Sequence, residues 1–177
     1  AFSNGAGAAI RITSNAGSIQ FAGAGDVISS TADGDIVVSA LGAISTTATF
    51  TGDIKTLAGD GDIDFDATAA TSNITFDGTG KITTTGTTGD ITIDAGDTAA
   101  VDIDTNNSGV SLNSDNKVLI GSTRRSATVD ISGAVTADEL IDIDADANIT
   151  IDQDAVLLTD DPGAASGDIN VFSDAGT

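Results

Sequence analysis

A chain of 177 residues with 27 acidic and six basic side chains, a net charge of −21 and no cysteine, methionine or histidine excludes several kinds of chemistry at the outset. It has no disulfide framework, thiolate metal centre or imidazole acid–base group, and Arg11, Lys55, Lys81, Lys117, Arg124 and Arg125 are too few and too scattered to neutralise a phosphate backbone, so no nucleic acid partner is expected. Aromatic residues are only 3% of the chain against 40% hydrophobic, which leaves Ile, Val and Ala to build the core.

Every acidic residue except Glu139 is Asp, which favours turns and caps over helix interiors. No run of about 18 apolar residues is present, so no membrane insertion is expected. The chain begins at Ala1-Phe2 without a Met, which reads as a mature secreted chain or a fragment of one.

From Ile10 to Ile169 short apolar signals recur about every nine residues, the length of one short strand and one corner. Every third signal reveals the longer period. Ile10, Ile36, Ile63, Ile91 and Val118 are 26, 27, 28 and 27 residues apart, and Val27, Ile54, Ile82 and Val110 are 27, 28 and 28 apart. Apolar residues alternate with Asp, Thr, Ser and Gln at period two, and no stripe at 3.6 residues is present.

These spacings predict an all-β fold, a three-sided parallel β-helix (β-solenoid) of about six turns of roughly 27 residues. It is read as one domain over residues 1–177, standing alone or as part of a longer solenoid or fibre. The first side takes Ile10/Ile12, Ile36/Val38, Ile63/Phe65, Ile91/Ile93 and Val118/Ile120. The second takes Ile19/Phe21, a weak segment from Ile44 to Phe50, Ile74/Phe76, Val101/Ile103 and Val129/Ile131. The third takes Val27, Ile54, Ile82, Val110/Leu112 and Ile141/Ile143.

Two stretches resist the pattern. Ser45–Thr51 is polar and predicts a bulge or a slipped side. Gly133–Leu140 lengthens a corner, with Val135 a strand position in another threading. Corners are marked by GAGD at Gly23, GDGD at Gly59, DGTG at Asp77, GTTGD at Gly86 and NNSG at Asn106. In GDITIDAGDTAAVDIDT, residues 89–105, Ile91, Ile93, Val101 and Ile103 are expected in the core and Asp90, Asp94, Asp102 and Asp104 on the outer surface.

Alternating aspartates are the main candidates for ligand chemistry. Asp60, Asp62, Asp64 and Asp66 fall in DGDIDFD, and Asp142, Asp144 and Asp146 in IDIDAD. Rows of outward carboxylates repel unless they are screened or bridged, and calcium accepts several such oxygens in flexible geometry. Two readings follow, a solvated acidic face and a calcium site, and no cofactor is required by either fold or charge. An EF-hand loop starting at Asp62 would need Gly and Glu where Ala67 and Asn73 stand. Enzyme chemistry is not expected: a surface without Trp or Tyr lacks aromatic platforms for sugars, and the glycine-rich stretches at Gly5 and Gly23 lack a following helix. Arg124-Arg125 reads as an anion site or as a corner that relieves local acidity.

The units GDITIDA, GDIDFDA, SNITFDG and GDINVFSD resemble the solenoid regions of large bacterial exoproteins, such as filamentous-haemagglutinin-type adhesins and autotransporter passengers. The resemblance implies work outside the cell or at its surface as a rigid stalk, adhesin or matrix fibre. Neither Ala1–Ala9 nor Ser173–Thr177 reads as a cap, so the ends are expected to continue a longer solenoid or to be covered by further copies. Head-to-tail stacking of this chain on itself would engage Phe2, Ile10 and Ile12 at one end and Ile169, Val171 and Phe172 at the other. The alternative is an adhesin segment that binds glycan or a cell surface, with calcium as stabiliser.

Overall fold

Short β-branched runs with one polar residue between apolar ones have little helix preference and bury one face as strands. The computed structural model describes residues 2–3, 10–29, 34–57, 59–104, 108–160 and 167–174. These residues contain no helix, hence none long and apolar enough to cross a membrane.

The strands stack in three columns. One holds β2 (Ile10–Ser14), β5 (Ile36–Ala40), β8 (Ile63–Ala67), β11 (Ile91–Asp94), β14 (Lys117–Ile120), the first half of β17 (Leu140–Ile151) and β19 (Asp168–Ser173). The second holds β3 (Ile19–Phe21), β6 (Ile44–Thr46), β9 (Ile74–Phe76), β12 (Ala100–Ile103), β15 (Ser126–Ile131) and the second half of β17. The third holds β1 (Phe2–Ser3), β4 (Val27–Ser29), β7 (Asp53–Thr56), β10 (Lys81–Thr83), β13 (Ser111–Ser114), β16 (Ala134–Ala137) and β18 (Val156–Thr159). Successive strands of a column pair in parallel, which makes the molecule a three-sided parallel β-solenoid.

On the first side Ile10, Ile36, Ile63, Ile91 and Val118 form one continuous register, and on the second Ile19, Ile44, Ile74, Val101 and Val129 do the same. These are the columns read from the sequence. Their inner side chains close the core: Ile36, Ile63, Ile74, Ile91 and Val101 are fully buried, and Phe65 and Phe76 meet edge to face at 4.9 Å.

The third side departs from the expectation in two places. Leu112, not Val110, lies over Ile82, because the corner before β13 is longer; Val110 is buried in that corner. Ile141 and Ile143 belong to the first side, over Val118 and Ile120, and Val135 takes their place over Leu112. The cause is β17. It runs through the vertex between the first and second sides without a turn, so its two halves pair with β14 and β15. Only 23 positions separate Val118 from Ile141, and 20 separate Val129 from Ile149.

Nor does Ser45–Thr51 form a bulge. The strand stops at Thr46 in register with both neighbours, and the chain turns inward to bury Phe50, 6.4 Å from Phe21. Gly78, at φ 96°, passes so close beneath that a Cβ would sit 2.3 Å from the Phe50 carbonyl oxygen, which leaves no other residue type for that vertex.

Two further columns hold the vertices. Where the first side bends into the second, every side chain is small: Ser14, Ala40, Ala67 and Ala145, with the alanines fully enclosed. Where the third bends into the first, hydroxyls tie the corner, buried at Thr56, Thr84 and Ser114 and half-buried at Thr159. Thr56 donates to the Gly61 carbonyl at 3.1 Å, Thr84 to Gly89 at 2.8 Å, Ser114 to Gly89 at 2.7 Å and Thr159 to Gly167 at 3.1 Å.

Candidate functional site

The outward row of the first side is where any cation chemistry would have to occur, and β8 carries the densest part of it. Asp64 and Asp66 point outward from β8 and Asp62 directly precedes it, so successive members of the row are two residues apart, roughly 7 Å along the strand. Much of their capacity is taken by the protein itself. Asp62 accepts the Asp90 backbone N–H at 2.8 Å, and its own N–H is donated to the Asp35 carboxylate at 3.2 Å. Asp66 is paired with the Arg124 guanidinium, and Asp60 accepts the Thr87 hydroxyl at 3.4 Å.

Asp35, Asp62 and Asp90 thus form a ladder in which each carboxylate holds the backbone of the turn stacked on it. Asn116 and Lys117 end the row: the Asn116 amide donates to Asp90 at 2.7 Å. The same device recurs elsewhere, since Asp26 accepts Asp53 N–H at 2.9 Å and Asn73 accepts Ala100 N–H at 2.9 Å.

Partial burial pushes the Asp62, Asp64 and Asp90 carboxyls above the usual carboxylate value, and neighbouring charges add to it. For Asp62 the amide of Asp90 pulls the other way while Asp35 and Asp60 raise it; for Asp64 the next cause is Asp62. Asp90 is raised by burial and by Asp62, and Lys117 opposes the rise.

Asp142, Asp144 and Asp146 lie on β17, three strands away from β8 in the same column, about 14 Å along the axis. The outward neighbours of Asp64 are Val37 and Thr92, and those of Asp142 are Leu119 and Asn170. The two sets of aspartates therefore share no site. Burial, then Asp144, raises the Asp142 carboxyl. Among the described residues no group of three or more acidic side chains converges to hold a metal ion. A calcium ion asks for six to eight oxygens around one point, and the row on β8 does not present them.

Arg124 and Arg125 are engaged by carboxylates and stand at one vertex. Arg124 folds back over two turns: besides Asp66 it donates to the Ala95 carbonyl at 2.8 Å and to the Ala67 and Asp94 carbonyls at 3.2 Å each. Asp94 is buried beneath it, accepting the N–H groups of Thr123 and Arg124 at 3.2 and 3.3 Å. Asp104 is buried too, with the Ser108 and Gly109 N–H groups on its carboxylate at 2.7 and 3.1 Å. Both were expected outside with Asp90 and Asp102; corner amides solvate them instead. A shallow cleft of about 400 Å³, lined by Val37, Asp64, Asp66, Thr92, Asp94 and Arg124, lies over this region. Arg125 points the opposite way along the axis, pairing with Asp174 and covering the Phe172 ring at 5.0 Å.

The last turn of the stack differs sharply from its sides. Of the eight exposed large hydrophobic residues among those described, six belong to the last turn: Ile151, Val156, Leu158, Ile169, Val171 and Phe172. Ile169 and Val171 are 44% and 45% exposed although they continue the inner column over Ile141 and Ile143, because no strand lies beyond β19 among the described residues. Phe172 differs from the expectation: it lies over Asp144 on the outward row and touches Arg125, so it flanks the end rather than forming its centre. At the other end Ile10 is 9% exposed and Ile12 half-buried. The Phe2 side chain lies outside the described residues; its backbone pairs with Val27.

No protein-family model, no curated protein and no solved structure matches the chain.

Proposed function

We propose that the protein is a structural, non-catalytic rod that works outside the cell or at its surface, and that it lengthens by stacking copies end to end. The observation that carries this reading is the last turn, whose core-column residues Ile169 and Val171 are half exposed beside a parallel strand edge that no strand pairs among the described residues. An open edge with an apolar inner face is a template for another strand, and a further turn of the same kind satisfies it. Contacts of this head-to-tail type do not close and so propagate.

The resemblance of the repeat units to exoprotein solenoids supports the location, and the aspartate ladders support the role. Their carboxylates hold turn to turn, an arrangement suited to stiffness rather than to ligand exchange. Electron microscopy and light scattering of the purified chain test the reading. Rods many times longer than one copy are expected; monodisperse monomers at concentrations up to about 100 μM, weaker than an ordinary specific contact, would sink it.

A further inference from the structure

The copies can in principle meet in several registers, and the structure selects one. We infer that β2 of one copy adds to β19 of the next with Ile10 over Ile169 and Ser14 over Ser173, and that Arg11 is the residue that fixes polarity; this rests on the rod reading above.

Three observations lead there. The first is the inner column. Within the molecule the first inward residue of each first-side strand always lies over its counterpart, from Ile10 on Ile36 through to Ile141 on Ile169. A slip of one residue would turn every apolar side chain outward.

The second is the vertex column of small side chains. Ser14 opens it and Ser173 ends it, the latter lying over Ala145. A slip of two residues would bring Ile12 into that column, where the backbone bends and only Ser or Ala is present at the paired positions. Ile10 over Ile169 keeps small over small.

Third, charge distinguishes the ends. Residues 140–174 contain nine aspartates and no basic residue, whereas the first described turn, residues 10–29, holds Arg11 and Asp26 alone. Among the described residues Arg11 is exposed and takes part in no ion pair. In the inferred register it stands over Asn170, with Asp142 one strand further down. Two levels is the distance that Arg124 already spans to reach Asp66. The opposite pairing, two acidic ends together, is repelled.

The third side continues in the same way, with β1 over β18. On the second side the described strands stop one level lower, at Ile151, so β3 of the incoming copy lies two spacings away and the first and third sides carry the contact.

A chain with no cysteine allows a direct test. Ser14 and Ser173 are six levels apart on the first side, about 29 Å, so a disulfide in the double variant Ser14→Cys/Ser173→Cys can form only between copies. Oxidation is expected to give a ladder of covalent dimers, trimers and longer species. The slipped pair Ile12→Cys/Ser173→Cys should give about tenfold less, since Cα atoms must lie within roughly 7 Å to be bridged. Arg11→Glu should weaken association about tenfold at low salt and Arg11→Lys should restore most of it. Rods in micrographs without the 14–173 ladder, or with the slipped pair favoured, would overturn the register while leaving the rod reading intact. Rods unaffected by Arg11→Glu would overturn the role of Arg11. Monomers throughout would remove the rod reading and this inference with it.

Discussion

Thr84 shows how a single polar atom can hold a corner. Its hydroxyl is fully buried, donates to the Gly89 carbonyl and accepts the Asp115 N–H at 3.1 Å. Removing it with Thr84→Val keeps the shape but leaves the part-buried Asp115 amide short of an acceptor, a loss of about 1 kcal/mol. Chemical denaturation should show that loss, and Thr83→Val, one residue away on the outward side, should show almost none. The sequence pattern holds a trace of this device, a Thr or Ser five residues before Gly-Asp in 56–62, 84–90 and, at a longer interval, 159–168. Period two, counted from Ile54 and Ile82, turns Thr56 and Thr84 inward, but only the bend of the backbone brings a carbonyl within reach of their hydroxyls. Asp94 and Asp104 are the opposite case: alternation puts them outside, and the amides of the corner draw them in.

The first two sides were legible as elements because their inner pairs repeat with few interruptions, whereas the third side offers one large apolar residue per strand and drifts. Ile141 illustrates the limit. Counting residues at a period of about 27 assigned it to the third side, since nothing in LIDIDADANITI announces that a strand will pass a vertex without a glycine. What replaces the glycine is the small side chain at the bend. Ala67 lies in that column at 0% exposure, so Ala67→Leu has to push a vertex outward. Overpacking of this kind costs about 2 kcal/mol, readable as a lowered Tm, while Thr68→Ser on the exposed side of the same vertex, which keeps the hydroxyl that donates to the Ala40 carbonyl at 3.2 Å, should leave Tm unchanged.

For the molecule as a whole, charge sets the dependence on pH. Asp62, Asp64, Asp90, Asp130 and Asp142 are all raised above the ordinary value of 3.8, chiefly by burial. A carboxyl raised in the folded state holds its proton to a higher pH than in the unfolded chain. Its stabilising contribution is therefore complete below 3.8 and is lost as pH rises through the higher folded value. Thermal melting should give a higher Tm near pH 4 than at pH 7, the reverse of a protein held by salt-bridged carboxylates. With a net charge of −21, added salt should narrow the difference by screening the remaining repulsion.

The uninterrupted vertex in β17 has one more outcome. By shortening the circuit from 27 or 28 positions to 20 at Val129–Ile149, it narrows the cross-section near one end of each copy. A stack of identical units would then carry two axial rhythms. Fibre diffraction would show the strand spacing at about 4.8 Å on the meridian. It would also show a long repeat of about 34 Å, seven strand spacings, because the waist returns once for every seven first-side strands.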